Sequence, residues 1–262
     1  MKYKNIAIIA ADKNKKAELI KKNLIKKYGF KDLSKNHLNI KNIDLVLALG
    51  GDGLMLHLLH KYEQQNLPIY GVNCGTIGFL MNAYDQEKIL EKIENSKEAI
   101  IHPLRMQAID ANDDLHDNIA INEVSLIRQT NQTAKINIKI NGKVRLKNLA
   151  ADGILVATSA GSTAYNLSLR GPIIPLNANI LALTPISPFR PRNWRGALLP
   201  SESKIEFEII DYLLRPVSAT ADYNEVRNVK KVLVTEDLNI KFRILFDSKH
   251  SLEERISKEQ FN

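Results

Sequence analysis

The chain is expected to fold as an α/β domain on a parallel, three-layer sheet, followed by a mostly antiparallel all-β domain. Three observations carry this. From the start to about residue 100, short apolar runs alternate with amphipathic helical stretches, the pattern of a parallel sheet covered by helices. Beyond His102-Pro103 the helical period disappears, and strand-like alternation runs to about Leu238. A last alternating run, Asn239 to Phe246, resembles the first part and is expected to return to it. The domains are therefore drawn at 1–100 and 101–238, with 239–262 as a C-terminal strand and helix on the first domain.

In chain order, Ile6-Ala7-Ile8-Ile9-Ala10 reads as a buried strand. Lys13 to Tyr28 follows as a helix, with Ala17, Ile20, Leu24 and Tyr28 on one face and Gly29 suited to its C-terminal stop. The pairs Lys21-Lys22 and Lys26-Lys27 read as its solvated face. Ile43 to Leu49, apolar apart from Asp44, is the next strand, stopped by Gly50-Gly51-Asp52-Gly53. From Leu54 to about Asn66 good helix formers run without a breaker. Pro68 to Val72 is another strand, and Asp85 to Asn95 another helix with Ile89, Leu90 and Ile93 inward. Ligands of such sheets bind at the carboxyl ends of the strands, where the turns 50–53 and 73–78 fall.

In the second half, Ala134–Ile140 and Lys143–Leu146 flank Asn141-Gly142, a strong signal for a two-residue hairpin. Lys204–Ile209 alternates equally well, and Lys231–Thr235 is short and β-branched. The stretch Thr184–Pro200 carries Pro185, Pro188, Pro191 and Pro200 and is expected to be a structured loop or crossover. Ser251-Leu252-Glu253-Glu254 matches a capping box opening a last helix.

Composition narrows the class. With 262 residues, 44% hydrophobic and 25% charged, the chain has the make-up of a soluble globular protein. No apolar run approaches the roughly 20 residues that span a bilayer, and Asp12 with its neighbouring lysines comes too soon for a signal-peptide core. A single cysteine, Cys74, excludes an internal disulfide and a Cys-cluster zinc site and suits a reducing, cytoplasmic setting. The net charge of +8 does not point to nucleic acid, because the lysines are dispersed and no recognition motif is present. A protein that handles small polyanions accounts for it equally well. Neither nucleic acid nor membrane is expected as a partner.

The chemistry concentrates in three stretches. The run Gly50-Gly51-Asp52-Gly53 sits between a buried strand and a helix start. Its glycines would allow positive φ and close approach of a ligand to the backbone, and free N–H groups there suit phosphate. Gly50, Gly51 and Gly53 therefore read as a phosphate-handling turn, with Asp52 as the functional side chain; the plainer alternative is an ordinary βα turn with a solvated aspartate. The second stretch leaves a strand at Ile154–Ala157 for small and hydroxylated residues and a short helix ending before Gly171. The hydroxyls of Ser159, Ser162 and Thr163 are expected as ligand donors; the plainer alternative is an N-capped helix after a loop. The third is Asn122-Glu123, a polar pair in an apolar strand, which either caps a strand end or faces a site.

Neither a G-x-G-x-x-G fingerprint nor a P-loop is present. His57 and His60 lack a nearby third ligand, so no metal ligands are assigned, and His57 is better placed to touch a nucleotide. Cys74 reads as a small buried residue with nothing adjacent to activate it.

Taken together, Gly50–Gly53, Asn122-Glu123, and Asp152-Gly153 followed by Thr163-Ala164-Tyr165-Asn166-Leu167-Ser168 resemble the three signature segments of the NAD kinases, in the order and spacing of the bacterial members. Gly75–Leu80, Leu183–Ile186 and His250–Ile256 are similar as well, so the resemblance covers the chain from Ile43 onward. The Gly-Gly-Asp-Gly turn alone is shared with diacylglycerol and sphingosine kinases and phosphofructokinases; Thr163–Ser168 with Asn122-Glu123 is more specific. The resemblance implies phosphorylation of the adenosine-ribose 2′-hydroxyl of NAD to give NADP, with ATP or polyphosphate as donor and Mg²⁺ or another divalent cation. It makes Asp52 the proton acceptor. It implies that Asp52, Gly53, His57, Asn122, Glu123, Asp152, Ala160, Thr163, Ala164, Tyr165, Asn166, Leu167, Ser168 and Asn224 hold the dinucleotide. It also implies a homodimer or homotetramer whose sites are partly completed by a neighbour.

Two departures bear on the donor: Leu54 stands where many relatives have Thr, and Cys74 where many have a basic residue. The alternatives are a lipid kinase, disfavoured by Thr163–Ser168 and by the lack of a membrane-binding stretch, and a non-catalytic dinucleotide-binding regulator acting on DNA, which needs a recognition helix that is not found.

Overall fold

A computed structural model describes residues 2–34, 40–75 and 78–247. The helix expected from Ser251 lies outside these residues. The described chain divides into two units, one formed by the chain up to Ile101 with the stretch from Ile240, the other by His102–Asn239.

The first unit contains β1 (Ile6–Ala10), α1 (Lys15–Tyr28), β2 (Lys31–Asp32), β3 (Leu45–Gly50), α2 (Asp52–Lys61), β4 (Pro68–Asn73), α3 (Ile89–Glu94) and β5 (Lys97–Ile101). Neighbouring β2, β1, β3 and β4 run parallel, which explains why β3 is buried along its whole length. Ala17, Ile20 and Leu24 of α1 and Ile89 and Ile93 of α3 share a core with Leu45, Leu47 and Leu49. Helix ends follow local hydrogen bonding more closely than periodicity. α1 begins at Lys15 because the Asn14 side chain accepts from the Ala17 amide, and it stops at Gly29, whose φ of 71° is left-handed. α3 is shorter than its periodic pattern: the Asp85 carboxylate accepts from the Glu87 and Lys88 amides, and the helix starts only at Ile89. α2 stops at Lys61, and a 3₁₀ turn at Glu63–Gln65 then leads to Asn66 in the left-handed region.

The second unit contains β6 (Leu104–Asp110), β7 (Leu115–Ala120), β8 (Glu123–Arg128), β9 (Ala134–Ile140), β10 (Lys143–Ala151), β11 (Gly153–Ala157), α4 (Tyr165–Ser168), β12 (Ile180–Ile186), β13 (Ala197–Pro200), β14 (Ile205–Ile209), β15 (Val217–Ala221), β16 (Asn224–Val226) and β17 (Val229–Glu236). They form two antiparallel sheets, ordered β10-β9-β14-β17-β6-β7 and β13-β12-β11-β8-β15-β16. Residues of both sheets share one core, among them Met106, Ile138, Phe207 and Val232 from the first and Leu126, Val156 and Ala219 from the second. Asn141 (φ 50°) and Gly142 (φ 75°) make the predicted two-residue turn between β9 and β10.

The proline-rich stretch departs from expectation. Thr184-Pro185-Ile186 belong to β12, Pro200 ends β13, and the two strands pair as a hairpin around the loop 187–196. Gly196, at φ 100°, closes that loop, where a Cβ would lie 2.0 Å from the Leu183 carbonyl oxygen. β11 is apolar throughout because both faces are covered: Ile154 and Val156 enter the inter-sheet core, while Leu155 and Ala157 meet Ile174 and Ala182.

The last described strand, β18 (Phe242–Phe246), returns to the first unit and lies between β4, to which it is parallel, and β5, to which it is antiparallel. Arg243 clamps Glu98 of β5 with Nε–Oε1 and Nη2–Oε2 distances of 2.9 and 2.7 Å.

Candidate active site

In the first unit the Gly-rich turn lies at the carboxyl edge of the parallel sheet. β3 ends at Gly50, Gly51 precedes the helix in extended conformation, and α2 begins at Asp52. The expectation that these glycines supply positive φ is corrected: the positive-φ glycines are Gly29, Gly142 and Gly196. Gly50 is needed for packing, since a Cβ would meet Leu54 Cδ2 at 2.8 Å and Ala11 Cβ at 3.0 Å. Gly51 and Gly53 face open space on their Cβ sides, leaving the backbone accessible.

The Asp52 carboxylate is held from both oxygens: Oδ2 accepts from the Phe79 amide at 2.8 Å and Oδ1 from the Leu80 amide at 3.0 Å. These amides are placed in turn by Asn82, which is fully buried. Its side-chain amide donates to the carbonyls of Gly71 and Leu245, and its Oδ1 accepts from the Asp247 amide. Asp52 is thus oriented through a loop fastened to β4 and β18. Sequence reasoning missed this support because the donors to Asp52 are backbone groups, which leave no residue signature.

Cys74 is buried, and burial pushes its thiol pKa up against the smaller opposing effect of Lys16. His57 is exposed on α2, whereas Met55, Leu58 and Leu59 are buried. Among the described residues, no group of three or more His, Cys, Asp or Glu side chains could hold a metal ion.

In the second unit a separate cluster forms at one end of the sheet containing β8 and β11. Glu123 starts β8 opposite Ala157, the last residue of β11, and Val124 lies opposite Ala221, the last residue of β15. The Ile121-Asn122 bend, the 158–168 segment and the Asp222-Tyr223 turn therefore meet. The Thr158 hydroxyl donates to the Ile121 carbonyl at 2.7 Å and accepts from the Gly161 amide at 3.0 Å. At Gly161 a Cβ would lie 2.1 Å from the Asn122 carbonyl oxygen, so only glycine permits this approach.

The hydroxyls expected as ligand donors make local hydrogen bonds to the backbone. The Ser159 hydroxyl donates to the Leu176 carbonyl, that of Ser162 to the carbonyls of Ser159 and Ile174, and that of Thr163 to the Ala160 carbonyl. These hydroxyls are engaged with nearby backbone carbonyls, as short polar side chains after a strand readily are. Asn166 is fully buried; its amide donates to the carbonyls of Ser162 and Pro172, and its Oδ1 accepts from the Thr184 hydroxyl at 2.7 Å. Its side chain holds the segment's shape. Ala160 is buried, Thr163, Ala164, Tyr165 and Leu167 are partly exposed, and Ser168 is exposed. Asn224, first in β16, pairs with Ala221 and lies at the same end of the sheet.

Glu123 is the chemically unusual member. Desolvation by burial, then the nearby Asp222 carboxylate, push its pKa up to about 7, against a hydrogen bond from the Tyr165 amide. Its Oε2 is buried with no hydrogen-bond partner. Asp222 accepts from the amides of Ile121, Asn122 and Glu123 at 2.7, 2.9 and 3.3 Å. Sequence reasoning did not single out Asp222, because an aspartate in a turn is commonplace.

Asp152 is not brought to this cluster. It precedes β11 at the opposite end from Ala157, about 17 Å away along the strand, and its Oδ1 lies 2.6 Å from Arg128 Nε.

Two family models match the chain in order: an ATP-NAD kinase N-terminal domain over residues 5–99 and an ATP-NAD kinase C-terminal domain over residues 121–231. The NAD kinase of Caulobacter vibrioides is 55% identical over 222 residues, covering 85% of each chain. Among solved structures, yeast NADH kinase complexed with NADH aligns with a TM-score of 0.83 at 21% identity, over 99% of this chain and 87% of that one. An NAD kinase from Archaeoglobus fulgidus in complex with ATP aligns with a TM-score of 0.75 at 21% identity, over 97% and 96% of the two chains. At these identities the two structures speak for the fold.

Proposed function

The chain belongs to the NAD kinase family, and from that premise we propose that it transfers the terminal phosphoryl group of ATP to the 2′-hydroxyl of the adenosine ribose of NAD. The observation that carries this reading is the ordered match of both halves to the two NAD kinase domains. The ATP and NADH complexes of proteins with the same fold support the choice of nucleotide donor and dinucleotide acceptor. Family membership removes the lipid-kinase and regulator alternatives; polyphosphate stays a second donor to be assayed.

In the proposed reaction the ribose 2′-oxygen forms a bond to the terminal phosphorus, the bond from that phosphorus to the bridging oxygen breaks, and ADP leaves with the electron pair. Asp52 takes the hydroxyl proton. A ribose hydroxyl is a weak nucleophile, and an oriented carboxylate removes its proton as the new bond forms. The amides of Phe79 and Leu80 support this role by fixing the plane of the carboxyl group. The bare backbone at Gly51 and Gly53 suits approach by the donor phosphates. A divalent cation would arrive with the donor, whose oxygens supply most of its ligands, and would neutralise phosphate charge. The 160–168 segment, with Asn122, Glu123 and Asn224, would receive the dinucleotide. Asp152 would reach such a site from a second copy of the chain, since its own strand carries it to the far end.

The test is incubation with Mg-ATP and NAD, with NADP followed by an NADP-specific dehydrogenase. NADP is expected, and Asp52→Asn is expected to keep NAD binding while turnover falls by roughly 10²-fold or more. An unchanged rate in that variant would remove Asp52 as the base.

A further inference from the structure

The bend that opens β8 is held from a distance of 100 residues in sequence. Asp222 lies in the β15–β16 turn at φ 53°, and its carboxylate receives three successive amides, those of Ile121, Asn122 and Glu123. Its own amide donates to the Glu123 carbonyl at 3.1 Å, so the two turns are cross-linked in both directions. The Glu123 carboxyl reaches on to the Tyr165 amide at the start of α4. Thr158 and Gly161 fasten the same bend to the segment before α4. The chain of contacts therefore runs from Asp222 through residues 121–123 into 158–165.

We propose that Asp222 is a positioning residue for dinucleotide recognition: its carboxylate fixes Asn122 and Glu123, and through Glu123 the Tyr165 end of the 160–168 segment, in the arrangement that receives the dinucleotide. The inference rests on the reading of this cluster as the NAD site.

Electrostatics give the arrangement a signature that plain structural support lacks. The Asp222 carboxylate accepts three amide hydrogens on the side where Glu123 begins β8. Glu123 faces Asp222 from the β15–β16 turn, the Tyr165 amide from α4, and the apolar Ala157 from β11. Asp222 is the one charged group acting on it among the described residues. Glu123 therefore keeps its proton to near neutrality, and losing it sets two carboxylates against each other beside the segment that Glu123 holds. Dinucleotide affinity is expected to weaken as pH rises through about 7.

The experiment measures NAD binding by calorimetry and NADP formation from pH 6 to 8.5 for the wild type, Asp222→Asn and Glu123→Gln. In the wild type, Kd and KM for NAD rise through the neutral range while kcat moves little. In Asp222→Asn the Kd is about tenfold weaker and its pH inflection moves to lower pH, because the neighbouring charge is gone. In Glu123→Gln the inflection disappears, since the amide still accepts from Tyr165 and cannot titrate.

A folded Asp222→Asn with wild-type Kd and inflection overturns the proposal. Should that variant fail to fold, Glu123→Gln decides, and an unchanged inflection there overturns it. NAD binding without NADP formation would sink the kinase reading while the Kd values still decide the role of Asp222; no NAD binding at any pH would sink both.

Discussion

At Asp52 a carboxyl group meets two amide hydrogens, while at Glu123 one meets a single amide, apolar burial and another carboxylate. The contrast makes Glu123 a measurable burden on the fold. Its folded pKa is about 7 against an ordinary 4.5, so between those values the folded state binds more protons than the unfolded one. Stability therefore falls as pH rises from about 4.5 to about 7, by an amount on the order of 3 kcal/mol, and the whole penalty is present above the folded pKa. Glu123→Gln carries no such charge. Urea unfolding should find this variant more stable than the wild type at pH 8 by up to that amount, with the gap closing toward pH 4.5. A gap that does not change with pH would mean that Glu123 is not held protonated. The pair Asn122-Glu123 was legible as polar residues interrupting an apolar strand. Asp222 was not, because its importance comes from three backbone amides about 100 positions away, and such partners leave no pattern in its own neighbourhood.

At the scale of elements, the glycines divide by what their missing side chains make room for. Gly161 lets the 158–165 segment lie against the Asn122 carbonyl, and Gly161→Ala would put a Cβ 2.1 Å from that oxygen. That change should destabilise the second unit by about 3 kcal/mol or more. Gly53 is different: nothing lies within 4 Å of its Cβ direction and it sits in the first turn of α2. Gly53→Ala should leave stability unchanged or raise it by up to about 1 kcal/mol, while raising KM for ATP if donor phosphates approach that backbone. Thermal melts and ATP kinetics on both variants separate the two roles, and a Gly53→Ala enzyme with unaltered KM would free that backbone from any part in donor binding. The sequence announced both glycine-rich runs but not this division, because glycine looks the same whether it serves a clash or a ligand. Elements defined by period or turn chemistry, such as α1 with Gly29 and the Asn141-Gly142 hairpin, were readable to within a few residues. The short α3 and the β12–β13 hairpin were not, since a capping aspartate and two strand-compatible prolines overrode the pattern.

At the scale of the whole molecule, the position of Asp152 sets the strongest constraint on assembly. β11 joins it to the 158–168 segment, and a strand cannot bring its two ends together. With Glu123 beside Ala157 at one end and Asp152 beyond Gly153 at the other, one copy offers the two acids to different places. If both serve one dinucleotide, a symmetric oligomer is required in which one copy's Asp152 completes the partner's site. The sequence reading grouped these residues by resemblance, and their order along the chain gave no sign of the separation. The consequence is a complementation test. Asp152→Ala and Thr163→Trp (the latter blocking the 160–168 segment) should each be nearly inactive alone. In a two-fold dimer formed by remixing equal amounts, half the dimers are mixed, and each of these holds one site with both intact contributions, so about a quarter of wild-type activity should return. Unmixed samples combined without subunit exchange should stay inactive. Recovery would demonstrate a site shared between copies, whereas inactivity after demonstrated exchange would mean that Asp152 acts only through its pairing with Arg128 within its own chain.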